Sequence, residues 1–288
     1  ERTSFTENTV TLTAPVTSAN IIPPGEDVAA GTLLVPKGKI LTASDLALIA
    51  GQGIAEIGVY KKLSIGLIST GSELLNTGSP LEYGKIYNTN PYLLGGYIQK
   101  HHMTANYLNT VSDDLDSLCR AVLEALKTND IVITTGGVSA GDFDYMPEVI
   151  RRIGGDLLFH RLKFKPGGAM LGAFKDGKVI LGLSGNPGAA ATGLLCVGFP
   201  FMRKLSGRSD ITFSQTTAYL GVDFKKSSPV TRILKGHSDF KNGMLYFTPL
   251  SNQHNGSVSS MSDCDLLAII PAGSKPLAAG DKLEVYIL

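Results

Sequence analysis

Two carboxylates follow a glycine-rich loop in the stretch DIVITTGGVSAGDFDY, residues 130–145. An apolar run, typical of a buried strand, leads into this loop, and the carboxylates are Asp142 and Asp144. Its glycines, at positions 136, 137 and 141, permit positive φ, so that backbone N–H groups can converge on an anion. A carboxylate repels a bound phosphate unless a cation lies between them. Because Mg²⁺ binds few carboxylates together with substrate oxygens, the stretch predicts an oxyanion or phosphate site that uses Mg²⁺.

Three further loops carry residues suited to an anion site. They are STGSELL (69–75), KFKPGG (163–168) and LSGNPG (183–188). In open α/β sheets ligands bind beyond the carboxyl ends of the strands, and we expect all four loops to lie there. Lys163 and Lys165, with Arg161, supply positive charge beside the Pro-Gly-Gly turn.

The acidic residues also have ordinary structural interpretations. Glu73 could cap the N-terminus of a helix, and Asp142 could cap the helix that follows the glycine loop. Asp113 and Asp114 could be acids of a first helical turn that complement the helix dipole, with Ser112 or Asp113 as the cap. In these interpretations the acidic residues stabilise the helices and take no part in a reaction.

Other polar residues have similarly simple explanations. LSGNPG could be only a turn that enters a helix, with Pro187 in the first helical turn. His101 and His102 are expected to be exposed to solvent, and His160 is expected to be a hydrogen-bonded core histidine. No Ser/His/Asp order indicates a catalytic triad.

Sequence periodicity predicts the elements that position these loops. Alternating strand and helix patterns over residues 63–207 indicate a doubly wound α/β domain with a mostly parallel sheet. Beyond Arg208, short strands separated by turns indicate a small all-β barrel or sandwich. The N-terminal residues form a small mixed module with a short helix capped by Thr42 or Ser44. The predicted domains are residues 1–60, 61–208 and 209–288.

Composition limits the class of protein. The 288 residues carry a net charge of +1, which gives no field that favours nucleic acid or an anionic membrane. Three widely spaced cysteines lack a CxxC pattern and argue against a secreted disulfide framework, so we expect a cytoplasmic protein. The apolar stretch 188–202 is too short to span a bilayer. The chain begins at Glu1 rather than Met, and we expect a trimmed or processed piece of a longer protein.

Five stretches in order resemble the MoeA family of molybdopterin molybdotransferases, which includes the E domain of gephyrin. They are STGSELL, GKIYNTNPYLL, TTGGVSAGDFDYMPEVI, KFKPGGAMLGAF and LSGNPGAAATG. The resemblance covers nearly the whole chain, since the segment before residue 63 and the final β stretch also resemble that family. It implies a doubly wound molybdopterin-binding domain flanked by a remnant of the N-terminal lid and a C-terminal barrel. It also implies insertion of molybdate into adenylylated molybdopterin with release of AMP, assisted by Mg²⁺.

The resemblance assigns roles to individual residues. Three acids would be catalytic and hold the metal: Glu73, Asp113 and Asp144. The substrate-binding residues would be Thr70, Gly71, Asn90, Gly136, Gly137, Ser139, Gly141, Lys165, Pro166, Gly167, Ser184, Gly185, Asn186 and Pro187. In the family the N-terminal lid completes the active site across a homodimer, and from the resemblance we expect that lid to be missing before Glu1.

The chain departs from the family pattern at several positions. Asn88 stands where the family has aspartate, and Ser184 stands where it has proline. Gly168 and Ala169 replace a basic residue and a proline. A molybdenum-inserting enzyme therefore competes with a molybdopterin-binding scaffold or carrier that has lost turnover. A molybdopterin adenylyltransferase is a third possibility, but the C-terminal β module and the 21–60 segment favour the MoeA side.

Overall fold

The protein is described by a computed structural model that covers residues 3–14, 21–138 and 144–288. The chain divides into two compact units, residues 1–57 and 58–288. The finer division predicted above, into three domains, stays a prediction. Within the described residues, no helix combines the length and the apolar character needed to cross a lipid bilayer.

Among its described residues, 3–14 and 21–57, the first unit has one short hairpin and one helix. Its elements are β1 (Thr3–Phe5), β2 (Val10–Leu12) and α1 (Ala43–Gly51). Thr42 is the N-cap of α1, because its hydroxyl oxygen accepts a hydrogen bond from the Asp45 N–H at 3.3 Å. The Asp45 carboxylate in turn accepts from the Thr42 N–H at 2.9 Å, which completes a capping box. Of the two predicted caps, Thr42 is confirmed.

The second unit begins with the predicted alternation of strands and helices. Its first elements are β3 (Ser64–Ser69), β4 (Leu74–Leu75), β5 (Ile86–Tyr87), α2 (Asn90–Lys100), β6 (Thr104–Tyr107), α3 (Leu115–Thr128) and β7 (Ile131–Thr135). They are followed by α4 (Met146–Arg152), β8 (Asp156–His160), β9 (Phe164–Lys165), β10 (Leu171–Lys175) and β11 (Lys178–Leu183). The strands β4 and β5 form a small parallel pair of their own.

Six of these strands form one sheet in the order β6-β3-β7-β11-β10-β8. The first four are parallel, whereas β10 is antiparallel to both of its neighbours. The hairpin between β10 and β11 turns at Asp176 and Gly177, both with positive φ, as the Asp-Gly pair predicts. The doubly wound, mostly parallel α/β fold is therefore confirmed.

The helix after the Gly-Asn-Pro stretch is interrupted, although the sequence predicts one continuous helix. It consists of α5 (Pro187–Gly193), a π turn (Leu194–Gly198) and α6 (Phe199–Leu205). Pro200 lacks a backbone N–H and its ring would clash with the carbonyl of Cys196, so the regular hydrogen-bond ladder cannot continue there.

The C-terminal part is a closed barrel of five strands. Its strands are β12 (Gln215–Leu220), β13 (Thr231–Lys241), β14 (Met244–Pro249), β15 (Leu266–Ile270) and β16 (Lys282–Ile287). Pairing of β13 with β14 closes it, and a short 3₁₀ helix, Val258–Met261, precedes β15. Strand β9 pairs in parallel with β13, so a strand from the α/β part extends the barrel.

Apolar side chains cover both faces of the six-stranded sheet. One core contains Ile65 and Ile131 together with side chains of α2, α5 and α6. The other packs the opposite sheet face against α3 and α4. The first core also includes Phe213 and Leu267, so the barrel and the α/β part share buried surface. These cores hold the carboxyl ends of β3, β7 and β11 side by side.

Candidate functional site

Three of the predicted loops meet at the carboxyl ends of β3, β7 and β11. The Thr70 N–H donates to the carbonyl of Thr135 at 2.9 Å, and the Gly136 N–H donates to the carbonyl of Leu183 at 3.0 Å. A Cβ atom on Gly136, where φ is 101°, would lie 2.8 Å from the Thr70 carbonyl oxygen and even closer to its hydroxyl. A Cβ atom on Gly185 would lie 3.6 Å from the Cα atom of Gly136. These positions therefore form one surface, as the sequence predicts.

Helix α2 brings a fourth segment to this surface. Asn90, in its first turn, donates its side-chain amide to the carbonyl oxygen of Gly185 at 2.8 Å. The amide oxygen of Asn90 is buried and has no hydrogen-bond partner among the described residues. This oxygen therefore lies beside the Gly-Asn-Pro loop with its acceptor capacity unused.

Glu73 lies in a turn, and its interpretation as a helix cap is wrong. The chain enters the small β4–β5 pair after Gly71 rather than a helix, because Leu74 pairs with Ile86. The Glu73 carboxylate is folded back over the glycine, since a Cβ atom on Gly71 would lie 2.7 Å from its Oε2 atom. Glu73 is exposed and lies directly after the Thr70–Gly71 segment.

Asp114, not Ser112 or Asp113, caps α3. Its backbone is extended, with φ −123° and ψ 128°, and its carboxylate accepts from the Ser117 N–H at 2.9 Å. Hydrogen bonds from the side chain and backbone of Ser117 hold the pKa of Asp114 below its ordinary value. The cap moves because only Asp114 directly precedes the first helical residue in an extended conformation.

Asp113 is thereby left free of the capping role. It is half-buried in the loop after β6. The backbone of Val111 ties this loop to β3, because the Val111 N–H donates to the Ser69 carbonyl at 2.9 Å and the Gly71 N–H donates to the Val111 carbonyl at 3.4 Å. Asp113 is thus two residues from a segment that borders the site.

Asp144 contacts the last residue of β8 and the residue after it. Its Oδ2 atom lies 3.4 Å from Nε2 of His160 and 3.9 Å from Nη2 of Arg161. Burial raises the pKa of Asp144, while His160 and Arg161 act in the opposite direction. The Met146 N–H donates to the Gly137 carbonyl at 3.2 Å, which turns the chain back toward the loop.

His160 is not the hydrogen-bonded core histidine that the sequence predicts. Its Nε2 atom is buried without a hydrogen-bond partner in the part of the chain that the structure describes, as is the Oδ1 atom of Asp144. The reason is its place at the last position of β8, an edge strand, where the ring faces a carboxylate. The remaining predicted residues of the loop, Ser139, Gly141 and Asp142, lie outside the described residues.

The Lys-Pro-Gly loop packs on the helix that follows the Gly-Asn-Pro stretch. A Cβ atom on Gly167 would lie 2.7 Å from the N atom of Gly193 and 2.9 Å from the Ala189 carbonyl oxygen, so only glycine fits there. The Lys165–Pro166 peptide bond is cis. Lys165 is exposed on β9, two residues before this contact with α5.

Sequence reasoning missed Lys235, a fully buried lysine of β13. Its Nζ atom donates to the Ser260 hydroxyl at 2.6 Å and to the His254 carbonyl at 3.3 Å. A Cβ atom on Gly188 would lie 3.1 Å from this Nζ atom, so the lysine lies under the first turn of α5. Burial lowers the pKa of Lys235. The available signal was a lysine directly after the apolar pair Ile233–Leu234 of β13.

The predicted acids do not form a metal site by themselves. Within residues 3–14, 21–138 and 144–288, no three His, Cys, Asp or Glu side chains come close enough together to hold a metal ion. Glu73 and Asp113 border the loops after β3 and β6, whereas Asp144 contacts β8.

Comparison with known families defines the class of protein. Residues 66–204 match the family described as "Probable molybdopterin binding domain", and residues 217–288 match the "MoeA C-terminal region (domain IV)". The α/β part with its loops is thus of the molybdopterin-binding class. The chain as a whole belongs to the MoeA family of molybdopterin molybdenumtransferases, as the sequence resemblance indicates.

The relatives support this assignment over the full chain. A "Molybdopterin molybdenumtransferase" of Staphylococcus aureus (strain MRSA252) is 34% identical over 288 residues, which cover 100% of this chain and 69% of the relative. The Bacillus subtilis (strain 168) protein of the same name is 35% identical over 272 residues, covering 94% of this chain and 63% of the relative.

Solved structures have the same architecture. The molybdopterin biosynthesis MoeA protein from Pyrococcus horikosii superposes with a TM-score of 0.82 at 25% identity, covering 99% of this chain and 70% of that one. A molybdenum cofactor biosynthesis protein from Pyrococcus furiosus gives a TM-score of 0.70 at 22% identity, covering 92% and 82%, and supports the fold alone.

Proposed function

We propose that this protein transfers molybdenum in molybdenum cofactor biosynthesis, by inserting molybdate into adenylylated molybdopterin with release of AMP. The observation that carries the proposal is the meeting of the Thr70, Gly136 and Gly185 segments with Asn90 at one sheet edge. Molybdate and the adenylate phosphate are both oxyanions, and backbone N–H groups at the ends of parallel strands suit such ligands.

Each segment supplies a distinct kind of contact in this proposal. The positive φ of Gly136 and Gly137 leaves room for an oxyanion beside the loop, whereas the Gly136 N–H itself is bonded to the Leu183 carbonyl. Lys165, exposed one residue before the Pro166–Gly167 turn, supplies a mobile positive charge. Asn90, with an unused buried amide oxygen, accepts a hydrogen bond from a donor group on the substrate.

We propose that Mg²⁺ is bound jointly by protein carboxylates and the substrate. Mg²⁺ binds one or two carboxylates and completes its shell with substrate oxygens and water, so a cluster of three protein acids is not required. Asp144 fits this use, since its Oδ1 atom lacks a hydrogen-bond partner among the described residues. Glu73 and Asp113, in the loops after β3 and β6, are proposed to act on the same ion through water or substrate oxygens rather than as one cluster with Asp144. The ion would neutralise the negative charge that develops on the phosphate oxygens.

Assembly and location are proposals on family grounds. We propose a homodimer on the family resemblance alone, and a cytoplasmic location because the three cysteines are free thiols. Light scattering at several concentrations tests the dimer, and a monomer at the highest concentration would refute it.

The scaffold alternative is favoured by one specific observation. Asn88 places a neutral amide, only 6% exposed, where a carboxylate would add charge to the site. A protein that binds molybdopterin without turnover would tolerate that exchange. The adenylyltransferase alternative is less favoured, because residues 217–288 match the C-terminal region of MoeA proteins.

The deciding experiment measures two quantities on the full-length protein. The first is AMP release from adenylylated molybdopterin in the presence of molybdate and Mg²⁺. The second is the affinity for molybdopterin, measured by isothermal titration calorimetry. Metal-dependent AMP release supports the transferase. Binding without release under all metal conditions supports the scaffold, and neither binding nor release would refute both.

A further inference from the structure

A chain of buried polar side chains runs beneath the loops of the site. The Thr135 hydroxyl donates to Ser69 Oγ at 3.2 Å, and the Ser69 hydroxyl donates to Oδ1 of Asn88 at 3.3 Å. Nδ2 of Asn88 then donates to the Thr110 hydroxyl oxygen at 3.1 Å. Thr135, Ser69 and Asn88 are 3%, 2% and 6% exposed, so the bonds among them are shielded from water, whereas Thr110 is half-buried.

Each member of this chain adjoins a segment of the proposed site. Thr135 directly precedes Gly136, and Ser69 directly precedes Thr70. Thr110 directly precedes Val111. Asn88 comes two residues before Asn90, and its backbone N–H is fixed by the Leu75 carbonyl at 2.8 Å. The chain therefore connects the ends of β3 and β7, the loop after β6 and the entry to α2.

Asn88 can join the two halves because an amide is both donor and acceptor. Its oxygen accepts from Ser69 while its nitrogen donates to Thr110. Both bonds leave the side chain neutral, so the residue connects the loops without adding negative charge beside a site for anions. Alanine at this position would leave the Ser69 and Thr110 hydroxyls without these partners in a buried place.

We infer that Asn88 is a positioning residue for the proposed reaction, which sets the spacing of the loops after β3, β6 and β7 before substrate binds. Only the kinetic consequence of this inference rests on the proposed function. The loop spacing itself is a property of the free protein. Preset loop geometry matters because misplacement by about 1 Å can cost roughly 100-fold in rate.

The same sheet offers a matched control at its other end. Asn106 also joins two strands through a half-buried amide, whose Nδ2 atom donates to the Ser64 hydroxyl at 2.9 Å and to Oδ1 of Asn129 at 2.7 Å. This second network lies at the amino ends of β3 and β7, away from the site loops. Asn106→Ala thus removes a comparable amide without touching the proposed positioning network.

The test uses hydrogen exchange of the free, full-length protein. In Asn88→Ala, the backbone amides of Thr70, Val111 and Gly136 are expected to exchange about tenfold faster or more, because their loops open locally. In Asn106→Ala these amides keep the parent rate. In Asn88→Asp protection returns, because a carboxylate accepts hydrogen bonds from both the Ser69 and Thr110 hydroxyls. Equal exchange in the two alanine variants, or no recovery with aspartate, would overturn the inference.

The kinetic arm separates this inference from the proposed function. Asn88→Ala is expected to lower kcat/KM for AMP release by about 10–100-fold, and Asn106→Ala by less than about twofold. A parent protein without AMP release would refute the proposed transferase, yet the exchange measurement would still decide the role of Asn88. If the parent protein is active, a kcat/KM in Asn88→Ala equal to that of the parent would refute the positioning role.

Discussion

The Asp144 carboxylate lies 3.4 Å from Nε2 of His160, and this contact joins the end of the glycine loop to the last residue of β8. Nε2 of His160 and Oδ1 of Asp144 are buried, and neither has a hydrogen-bond partner among the described residues. The pair thus contacts one oxygen of Asp144, whereas the other oxygen is buried and has no hydrogen-bond partner among the described residues. An acceptor oxygen without a partner is better suited to bind a cation or a substrate donor than to serve a purely structural role.

Replacement of Asp144 by asparagine should remove activity and spare the fold. We expect Asp144→Asn to lower AMP release by about 100–1,000-fold, the cost typical of losing one charge-stabilising group. The melting temperature should change little, because the substitution removes a buried carboxylate whose pKa is raised by burial. Asp116→Asn, on the exposed face of α3, is the control. Parent-like AMP release by Asp144→Asn would end its proposed catalytic role.

Lys165 should contribute to binding through its charge. We expect Lys165→Ala to weaken molybdopterin or AMP binding by about 10-fold, since hydrogen bonds to charged groups contribute roughly 1.5–3 kcal/mol. Lys127→Ala removes an equal charge from α3, where the lysine pairs with Glu124, and should leave binding unchanged. Calorimetry on both variants provides the comparison. Equal losses would show that only net charge matters.

Gly136 should reject any side chain. We expect Gly136→Ala to destabilise the protein by about 1–3 kcal/mol and to displace the Thr70 loop, because its Cβ would overlap Thr70. Gly78 also has positive φ, at 89°, but a Cβ there meets nothing within 4 Å. Gly78→Ala therefore reports backbone strain alone. Urea unfolding of both variants separates overlap from strain, and equal destabilisation would contradict the predicted overlap.

His101 should make stability depend on pH. The ring lies 4.4 Å from Phe199 and 5.3 Å from Phe213, and its Nδ1 atom lies 3.4 Å from the Arg203 guanidinium. It is therefore half-buried rather than solvent-exposed as the sequence predicted. Burial, aided by Arg203, lowers the pKa of His101 to about 4 from 6.5.

The sign of this effect follows from proton uptake. Between pH 6.5 and about 4 the unfolded chain binds a proton at His101 that the folded protein does not. The contribution of His101 to the free energy of unfolding is thus fully present above pH 6.5. It falls by about 2–3 kcal/mol as the pH decreases toward 4. His101→Gln should flatten this dependence in urea unfolding, and His102→Asn, at the exposed neighbour, should not. An unchanged pH profile in His101→Gln would contradict the assignment.

Much of the site followed from local pattern. The Thr70, Gly136 and Asn186 segments each follow an apolar strand, and parallel strands bring such segments to one edge of the sheet. Local pattern failed where the deciding partner is remote in sequence. Glu73 is not a helix cap, because β4 pairs with a strand beyond the next turn. His160 faces Asp144 across a loop, and only the folded sheet brings these residues together.

The same limit explains why Lys235 was missed. A lysine within a strand gives no indication of its partners, and these come from the 254–260 segment and from the first turn of α5. The cap of α3 shows a smaller error of the same kind. Asp113 and Asp114 are equivalent in composition, and only the backbone conformation at Asp114 decides between them.

The pairing of β9 with β13 makes the barrel an integral support of the lysine loop. Thr231 and Arg232 are the register partners of Phe164 and Lys165, so the strand that carries Lys165 takes its hydrogen bonds from the barrel. Excision of residues 209–288 would leave that strand without a neighbour and uncover the apolar surface now packed against Phe213 and Leu267. A chimera that exchanges barrels between relatives must therefore transplant residues 162–168 as well. The structural unit of the barrel includes this segment, although it lies before residue 209 in the sequence.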